Sequence, residues 1–402
     1  EKSTHIISCE MITGILKASP NTLPEHALIR DKFLLEFLAN VYESDLSPDN
    51  RGVWTIFAWW LPSHIDVRRF PVIMKWLYTD FKVDSNSDAA VRIATRISYI
   101  EAYVLTAGTS FPQPDLFADF AFSNFTNRYQ VIRDQAGSLL SVLSVVYYAD
   151  SISSSEQFIS ICNEDAGRQL FTRGKTHQVY ARIPQLFEFI EQSRLEVLDK
   201  SPQEILNSNY IYASTAVLQW LSTVLKTSVG IMYEDFADTY IIPFLIKLTN
   251  LKDVCQLGNL DPITVIKRVS QIQYHADTLE RMVTMLENYA VSNQLNVIQY
   301  IIMGEFTETL YFKNIYKLTN DQRHRLISMT DGLLSHKYIE VREAALSTLA
   351  GLIHFSPPQM IEELVHDLSV TYCRNLTKTR RKYKKGFSKI SSEDAVLLHG
   401  AT

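Results

Sequence analysis

The chain has 402 residues, 46% of them hydrophobic, so it is long enough for several domains or for one long repeat array. Glycine accounts for only 13 residues, well below the usual ~7%, which argues against a turn-rich all-β fold and against glycine-rich phosphate loops. The net charge of −5 argues against polyanion binding by the chain as a whole, although a local basic patch is compatible with it.

The first half of the chain is predicted as a series of helices separated by polar or proline-containing turns. A short apolar segment covers residues 5–18, and Pro24 lies at a position that favours the first turn of a helix. Residues 45–52 are predicted as a turn, and residues 53–61 as a short helix that Pro62 ends. Tryptophans cluster in this region, and we interpret them as aromatic core between helices rather than as a ligand site: Trp54, Trp59, Trp60 and Trp76.

The second half continues in the same way. A helix is predicted to end near Leu198, and Ser201-Pro202 predicts a capped start for the next one. Further helices are predicted over residues 235–248 and, as one long stretch, over residues 263–289. No strand-like alternation of apolar and polar residues stands out, so the predicted fold class is all-α.

Residues 335–353 contain the sequence motif from which the repeat prediction starts. Val341-Arg342 is followed by Ala344, Ala345, Leu346, Leu349 and Leu352, whose three- and four-residue spacing predicts one apolar helix face. The alanines allow a second helix to approach closely. The arginine needs an acidic or carbonyl partner if it is to stay charged at a helix–helix contact.

Two earlier segments repeat this motif. Val91-Arg92 and Ile132-Arg133 lie 41 residues apart, and 209 residues separate Ile132 from Val341. Five steps of about 42 residues cover the longer interval, and HEAT and armadillo repeats have periods of roughly 40–47 residues. We therefore predict an α-solenoid of HEAT-like helical repeats, as one continuous array over residues 1–402 with about nine helix pairs. The alternative is three unrelated amphipathic helices.

The sequence contains no recognisable catalytic or metal-binding motif. Nucleophile elbows, phosphate loops, HExxH and kinase motifs are absent. His324 and His336 are close in sequence but lack partners at metal-ligand spacing. The cysteines are scattered, as is usual in a reducing compartment: Cys9, Cys162, Cys255 and Cys373. We therefore expect a protein that is not an enzyme and has no metal, cofactor or membrane span; an enzyme with dispersed active-site residues is the alternative.

Residues 374–389 form a basic segment without any acidic residue. We predict an exposed, mobile loop, because like charges repel one another. Three functions compete with an inert loop: docking on an acidic protein surface, binding of a polyanion, and nuclear import. The candidate residues are Arg374, Lys378, Arg380, Arg381, Lys382, Lys384, Lys385 and Lys389.

Three stretches of the C-terminal part carry a family resemblance. SHKYIEVREAALSTLAGLIHF, the basic segment and SSEDAVLLHGAT closely resemble the C-terminal region of the large single-chain HEAT-repeat proteasome activators, the Blm family, in its fungal form. The residues that carry the likeness are Val341-Arg342-Glu343-Ala344-Ala345 and Leu398-His399-Gly400-Ala401-Thr402. The chain is accordingly expected to be a fragment of a larger solenoid.

The resemblance implies an ATP-independent activator that caps the proteasome core particle at its α-subunit ring and promotes gate opening for peptides and unfolded proteins. It also implies residence in nucleus and cytoplasm and links to acetylated histones and DNA repair. The gate-opening tail of the family lies beyond Thr402, so no residue of this chain is assigned to it. Inositol phosphates bind to some family members, but no position of this chain matches their sites; direct nucleic-acid binding is not expected.

The alternative function is that of another HEAT-repeat adaptor, either a nuclear transport receptor or a phosphatase scaffold. Armadillo-type receptors line their groove with Trp-x-x-x-Asn. None of the five tryptophans of this chain has an asparagine four residues further on. This argues against an armadillo-type receptor, while HEAT-type receptors stay open.

Overall fold

A computed structural model describes residues 2–19, 22–44, 46–64, 72, 76, 87–107, 114–150, 178–226, 234–292 and 295–384. Every regular element in these residues is helical, and they contain no strand. The predicted all-α fold class is therefore confirmed. The sequence also predicts a helix that starts at Asp66 and a loop over residues 167–177. The loop lies outside the described residues, and so does the helix except for residues 72 and 76.

Helices make up most of the described residues. In chain order, the first nine are α1 (Lys2–Ala18), α2 (Pro24–Glu43), α3 (Pro48–His64), α4 (Ser87–Ala107), α5 (Pro114–Ser123), α6 (Gln130–Asp150), α7 (Gln178–Leu195), α8 (Pro202–Leu206) and α9 (Asn209–Val224). They are followed by α10 (Glu234–Phe236), α11 (Ile242–Thr249), α12 (Lys252–Leu257), α13 (Pro262–Val269), α14 (Ala276–Ser292), α15 (Val297–Lys313), α16 (Asn320–Leu333), α17 (Ile339–His354) and α18 (Pro358–Lys384). A π-helical turn, Ala237–Ile241, joins α10 to α11.

The chain divides into two compact units. The first comprises residues 1–232 with 256–260, and the second comprises residues 233–255 with 261–402. The single continuous array over residues 1–402 stays a prediction, and each unit is described by itself.

Helices in each unit pack in two layers. In the first unit α1, α3, α4, α6 and α9 contact one another in that order, while α2, α5 and α7 pack against this layer. In the second unit α11, α13, α15 and α17 form one succession, and α14 and α16 form the other layer. In the second unit each of these helices thus contacts the helix two positions further along, which is how neighbouring repeats bury their apolar faces in a helical-repeat protein.

The predicted long helix over residues 263–289 is wrong. Helix α13 ends at Val269 and α14 begins at Ala276. The Asn314 side chain forms two hydrogen bonds with the backbone between these helices. Its Oδ1 accepts from the Tyr274 N–H at 2.8 Å, and its Nδ2 donates to the Ile272 carbonyl at 3.0 Å. A residue about one repeat away therefore interrupts a helix that the local apolar spacing favours.

The predicted turn over residues 45–52 is also too long. Helix α3 begins at Pro48, since proline is well suited to the first helical position, and it continues past Pro62 to His64. Trp54 is 1% exposed and packs edge-on against Phe57, with 5.5 Å between ring centroids. Its role as aromatic core agrees with the prediction.

Candidate functional site

The motif arginines of α6 and α17 lie in the same local arrangement. Arg133 Nη1 donates to the carbonyls of Asn127 at 2.7 Å and Arg128 at 2.9 Å. Arg342 Nη1 donates in the same way to the carbonyls six and five residues before it, at 2.8 and 3.2 Å. Each arginine thus ties the preceding turn to its own helix, so the carbonyl partner lies in that turn and not on a neighbouring helix.

These motif residues belong to the core. Ile132 and Val341 are buried. The arginines that follow them are buried too, with 6% exposure for Arg133 and 8% for Arg342. Burial lowers the pKa of Arg133, and its guanidinium lies 4.4 Å from the ring centroid of Tyr212. The third copy, Val91-Arg92 in α4, is only half-buried. The motif therefore acts in folding, and it is not itself a binding surface.

The helix that carries the last copy of the motif differs from its prediction at two points. The sequence predicts one helix over residues 335–353, but α17 begins at Ile339, because Arg342 holds the residues before it in a turn. Leu346, which the spacing places on the apolar face, is 57% exposed. The face that is actually buried is narrower and includes polar members: Val341, Arg342, Ala345, Thr348, Leu349 and Leu352.

The predicted loop over the basic segment is wrong for residues 374–384. They form the last turns of α18, and Arg374 and Lys378 are exposed. Residues 385–389, with Lys385 and Lys389, lie outside the described residues. The structure describes the backbone but not the side chains at four other candidate positions, Arg380, Arg381, Lys382 and Lys384.

The composition of α18 explains why this segment is helical. No glycine or proline occurs between Pro358 and Gly386, and lysine and arginine are good helix formers. Its carboxylates lie in the first half of the helix, at Glu362, Glu363 and Asp367, while the cations lie in the last turns. The cations at the carboxyl-terminal end interact favourably with the helix dipole, which offsets part of the repulsion between like charges.

Polar contacts in the second unit join residues about one repeat apart. Arg325 of α16 donates to Glu287 through Nε at 3.0 Å and forms a further ion pair with Glu280. Arg281 pairs with Asp238 at 3.2 Å across 43 residues. A hydrogen bond from Arg325 and a second one from Gln322 lower the pKa of Glu280. The sequence analysis did not predict these ion pairs. Each carboxylate nevertheless lies about one repeat period from its cation, and this spacing could have indicated the pairing.

His324 and His336 border an open cleft of about 670 Å³ beside α14 and α16. Glu287 and Ser328 also line it. Burial lowers the pKa of His336, whose ring lies 4.8 Å from that of Tyr300. No group of three or more metal-ligating side chains occurs in the part of the chain that the structure describes. Within the same residues, no helix is both long and apolar enough to cross a bilayer.

Helical repeats in two layers, with buried motif arginines and with ion pairs between successive repeats, define a helical-repeat scaffold. No protein-family model matches the chain. The chain is 24% identical over 400 residues to the proteasome activator BLM10 of Saccharomyces cerevisiae, in an alignment that covers 97% of this chain and 18% of the yeast protein. It thus spans less than a fifth of the length of this relative, and the similarity supports a distant relationship with the Blm type.

Proposed function

We propose that the chain is a region of an ATP-independent proteasome activator, and that it helps to hold the activator on the end of the core particle. The observation that carries this proposal is the similarity to BLM10, because it extends over 97% of the chain and is not confined to one motif. The all-α repeat architecture suits the proposal, since stacked repeats provide long continuous surfaces for a large partner.

The proposed mechanism is binding without covalent chemistry. An activator that binds the open-gate form of the core particle more tightly than the closed form shifts the population towards the open gate. The role of this chain would be to supply binding energy from a scaffold whose repeats are held together by contacts such as the Arg325 ion pairs.

The test uses the complete protein that contains this chain, purified core particle and a fluorogenic peptide, without ATP. We expect co-sedimentation with the core particle and a faster peptide hydrolysis than with the core particle alone. The 402-residue chain by itself serves as a second sample, for binding only. If the complete protein neither binds nor stimulates the core particle, the proposal is wrong.

The competing proposal is a HEAT-repeat adaptor for nuclear transport or for a phosphatase. The same purification from cell extract distinguishes the two, because an adaptor would recover a small GTPase or phosphatase subunits in place of proteasome subunits. Residence in nucleus and cytoplasm, and acetylated histones as substrates, stay predictions of the family resemblance.

We further propose that the basic end of α18 binds an acidic partner or serves nuclear import. Replacing Arg380, Arg381, Lys382, Lys384 and Lys385 by glutamine should weaken salt-sensitive binding or reduce nuclear uptake. A control variant removes five exposed lysines that are dispersed over the chain: Lys17, Lys32, Lys200, Lys252 and Lys337. If binding and localisation are the same in both variants and in the unmodified protein, the segment is inert.

A further inference from the structure

The solvent side of α15 carries an apolar and aromatic stripe interrupted by carboxylates. Ile298 and Phe312 are both 47% exposed, and the Glu305 side chain is 52% exposed. With Ile301 and Glu308 they recur every three or four residues, opposite the buried residues of the same helix. Fourteen residues separate Ile298 from Phe312, which corresponds to about 21 Å along the helix axis.

Helix α17 extends this surface. Phe355, directly after α17, lies against Phe312 with 4.6 Å between ring centroids. The Glu308 side chain packs against Gly351 of α17, so closely that a Cβ added to Gly351 would overlap Glu308 Oε1. Glu340 and Glu343 of α17 are exposed. Glu340 precedes Gly351 by three helical turns and so lies on the same side of α17, and Glu343 lies one turn further on, at the edge of that side. We call this surface the α15–α17 face, with the members Ile298, Ile301, Glu305, Glu308, Phe312, Glu340, Glu343 and Phe355.

The charges of the α15–α17 face are organised differently from those of the α14–α16 layer. In the α14–α16 layer, Glu280 and Glu287 are both paired with Arg325. On the face, Glu305 pairs with Lys267 at 2.8 Å. Glu308, Glu340 and Glu343, in contrast, form neither an ion pair nor a side-chain hydrogen bond with any residue that the structure describes. Lys313 Nζ lies 5.7 Å from the Phe312 ring centroid, so the face has two cations, Lys267 and Lys313, against its four carboxylates. It thus combines exposed aromatic and aliphatic groups with a net negative charge.

We propose that the α15–α17 face binds a basic amphipathic segment of a partner polypeptide. The apolar side chains of such a segment would contact Ile298 and the Phe312–Phe355 pair, since exposed aromatic rings often contribute most to binding at interfaces. Its lysines or arginines would meet the unpaired glutamates, so that charge complementarity favours a basic partner over an acidic one. An amphipathic helix of about four turns matches the distance of about 21 Å between the apolar ends. The inference does not depend on the core particle.

Fluorescence anisotropy measures the binding of a labelled peptide to the 402-residue chain. The peptide has about 16 residues and carries leucines on one helix face and lysines on the other. We expect the substitutions Glu308→Gln, Glu340→Gln and Glu343→Gln together to weaken binding about tenfold at low salt, as three exposed ion pairs would. Phe312→Gln should weaken it by a similar factor at every salt concentration. A peptide with glutamate in place of lysine should bind at least about tenfold more weakly than the lysine peptide.

Two matched controls separate the face from general effects. Glu362→Gln, Glu363→Gln and Asp367→Asn together remove the same charge from α18. Phe33→Gln removes an exposed phenylalanine of α2 that also stacks on one other ring. Both controls should bind the lysine peptide within about twofold of the unmodified chain. The proposal is overturned if the controls lose as much affinity as the face variants, if neither face variant loses affinity, or if the glutamate peptide binds equally well.

Discussion

Glu101 of α4 is a carboxyl group in the core of the first unit, with 6% exposure. Burial raises its pKa to about 8, and a side-chain hydrogen bond with Ser138 offsets this only in part. Its Oε1 has no hydrogen-bond partner among the described residues. The neutral, protonated form is therefore the one that the folded chain accommodates at and below neutral pH.

This predicts a pH dependence of stability with a definite sign. The pKa of Glu101 is higher in the folded state than its ordinary value of 4.5, so the folded state binds more protons between these pH values. The free energy of unfolding should fall as the pH rises from about 4.5 to about 8, by an amount on the order of a few kcal/mol.

Urea unfolding at about pH 5, 6.5 and 8 measures this effect. Glu101→Gln, which resembles the protonated acid, should remove most of the decline. Glu188→Gln, at an exposed position of α7, should leave it unchanged. An equal pH dependence in the Glu101→Gln variant and the unmodified chain would contradict the prediction.

Helices α6 and α9 approach each other closely at a glycine. A Cβ on Gly137 would overlap the Ala216 carbonyl oxygen and lie 3.0 Å from the Trp220 backbone nitrogen. Because both neighbours are backbone atoms of α9, neither can yield without a shift of the whole helix. The distance between these elements is thus set by the absence of a side chain.

Gly137→Ala should destabilise the chain by about 2 kcal/mol or more, as overpacking does in close-packed cores. Gly52→Ala is the control, since nothing lies within 4 Å of its added Cβ in α3. Alanine is the better helix former, so Gly52→Ala should be neutral or stabilising by up to about 1 kcal/mol. The urea concentration at the midpoint of unfolding measures both effects. Equal midpoints for the two variants would contradict the prediction and show that α6 and α9 move to accommodate the methyl group.

At the scale of the whole molecule, a substitution in one repeat should lower the stability of that repeat and of its direct neighbours only, because each repeat contacts only its neighbours. Tyr311 of α15 lies 2.6 Å from Ser356, which follows α17, and Ser356 Oγ also donates to the Leu352 carbonyl at 2.8 Å. The tyrosine hydroxyl is therefore the donor to Ser356. Tyr311→Phe removes this one bond, at a cost of about 1 kcal/mol.

Amide hydrogen exchange followed by mass spectrometry reads out the result for each helix. In the Tyr311→Phe variant we expect faster exchange in α15 and α17, a smaller change in α13, and no change in α4 and α6. Ser369→Ala, at an exposed site on α18, is the control. A uniform loss of protection through both units would show one cooperative domain and would contradict the repeat-by-repeat coupling.

Local spacing predicts the helices of this chain better than it predicts their interruptions. The helices around Val91, Ile132 and Val341 are predictable because amphipathic periodicity is legible within one helix. The interruption before Ala276 is not, because its cause, Asn314, lies 42 residues from the Ile272 carbonyl that it binds. The loop predicted for the basic segment is wrong because charge repulsion alone neglects the helix dipole and the absence of helix breakers.

The amino-acid sequence by itself determined the all-α class, because apolar residues three or four positions apart share one helix face. It also indicated a repeat period of about 42 residues, through the recurrence of the motif along the chain. Only the tertiary structure decided which carbonyls Arg342 binds. It also decided which carboxylates form ion pairs with Arg325 and which stay unpaired on the α15–α17 face. Those outcomes depend on which groups of successive repeats come into contact, and a repeat period locates the repeats without specifying the side chains that meet between them.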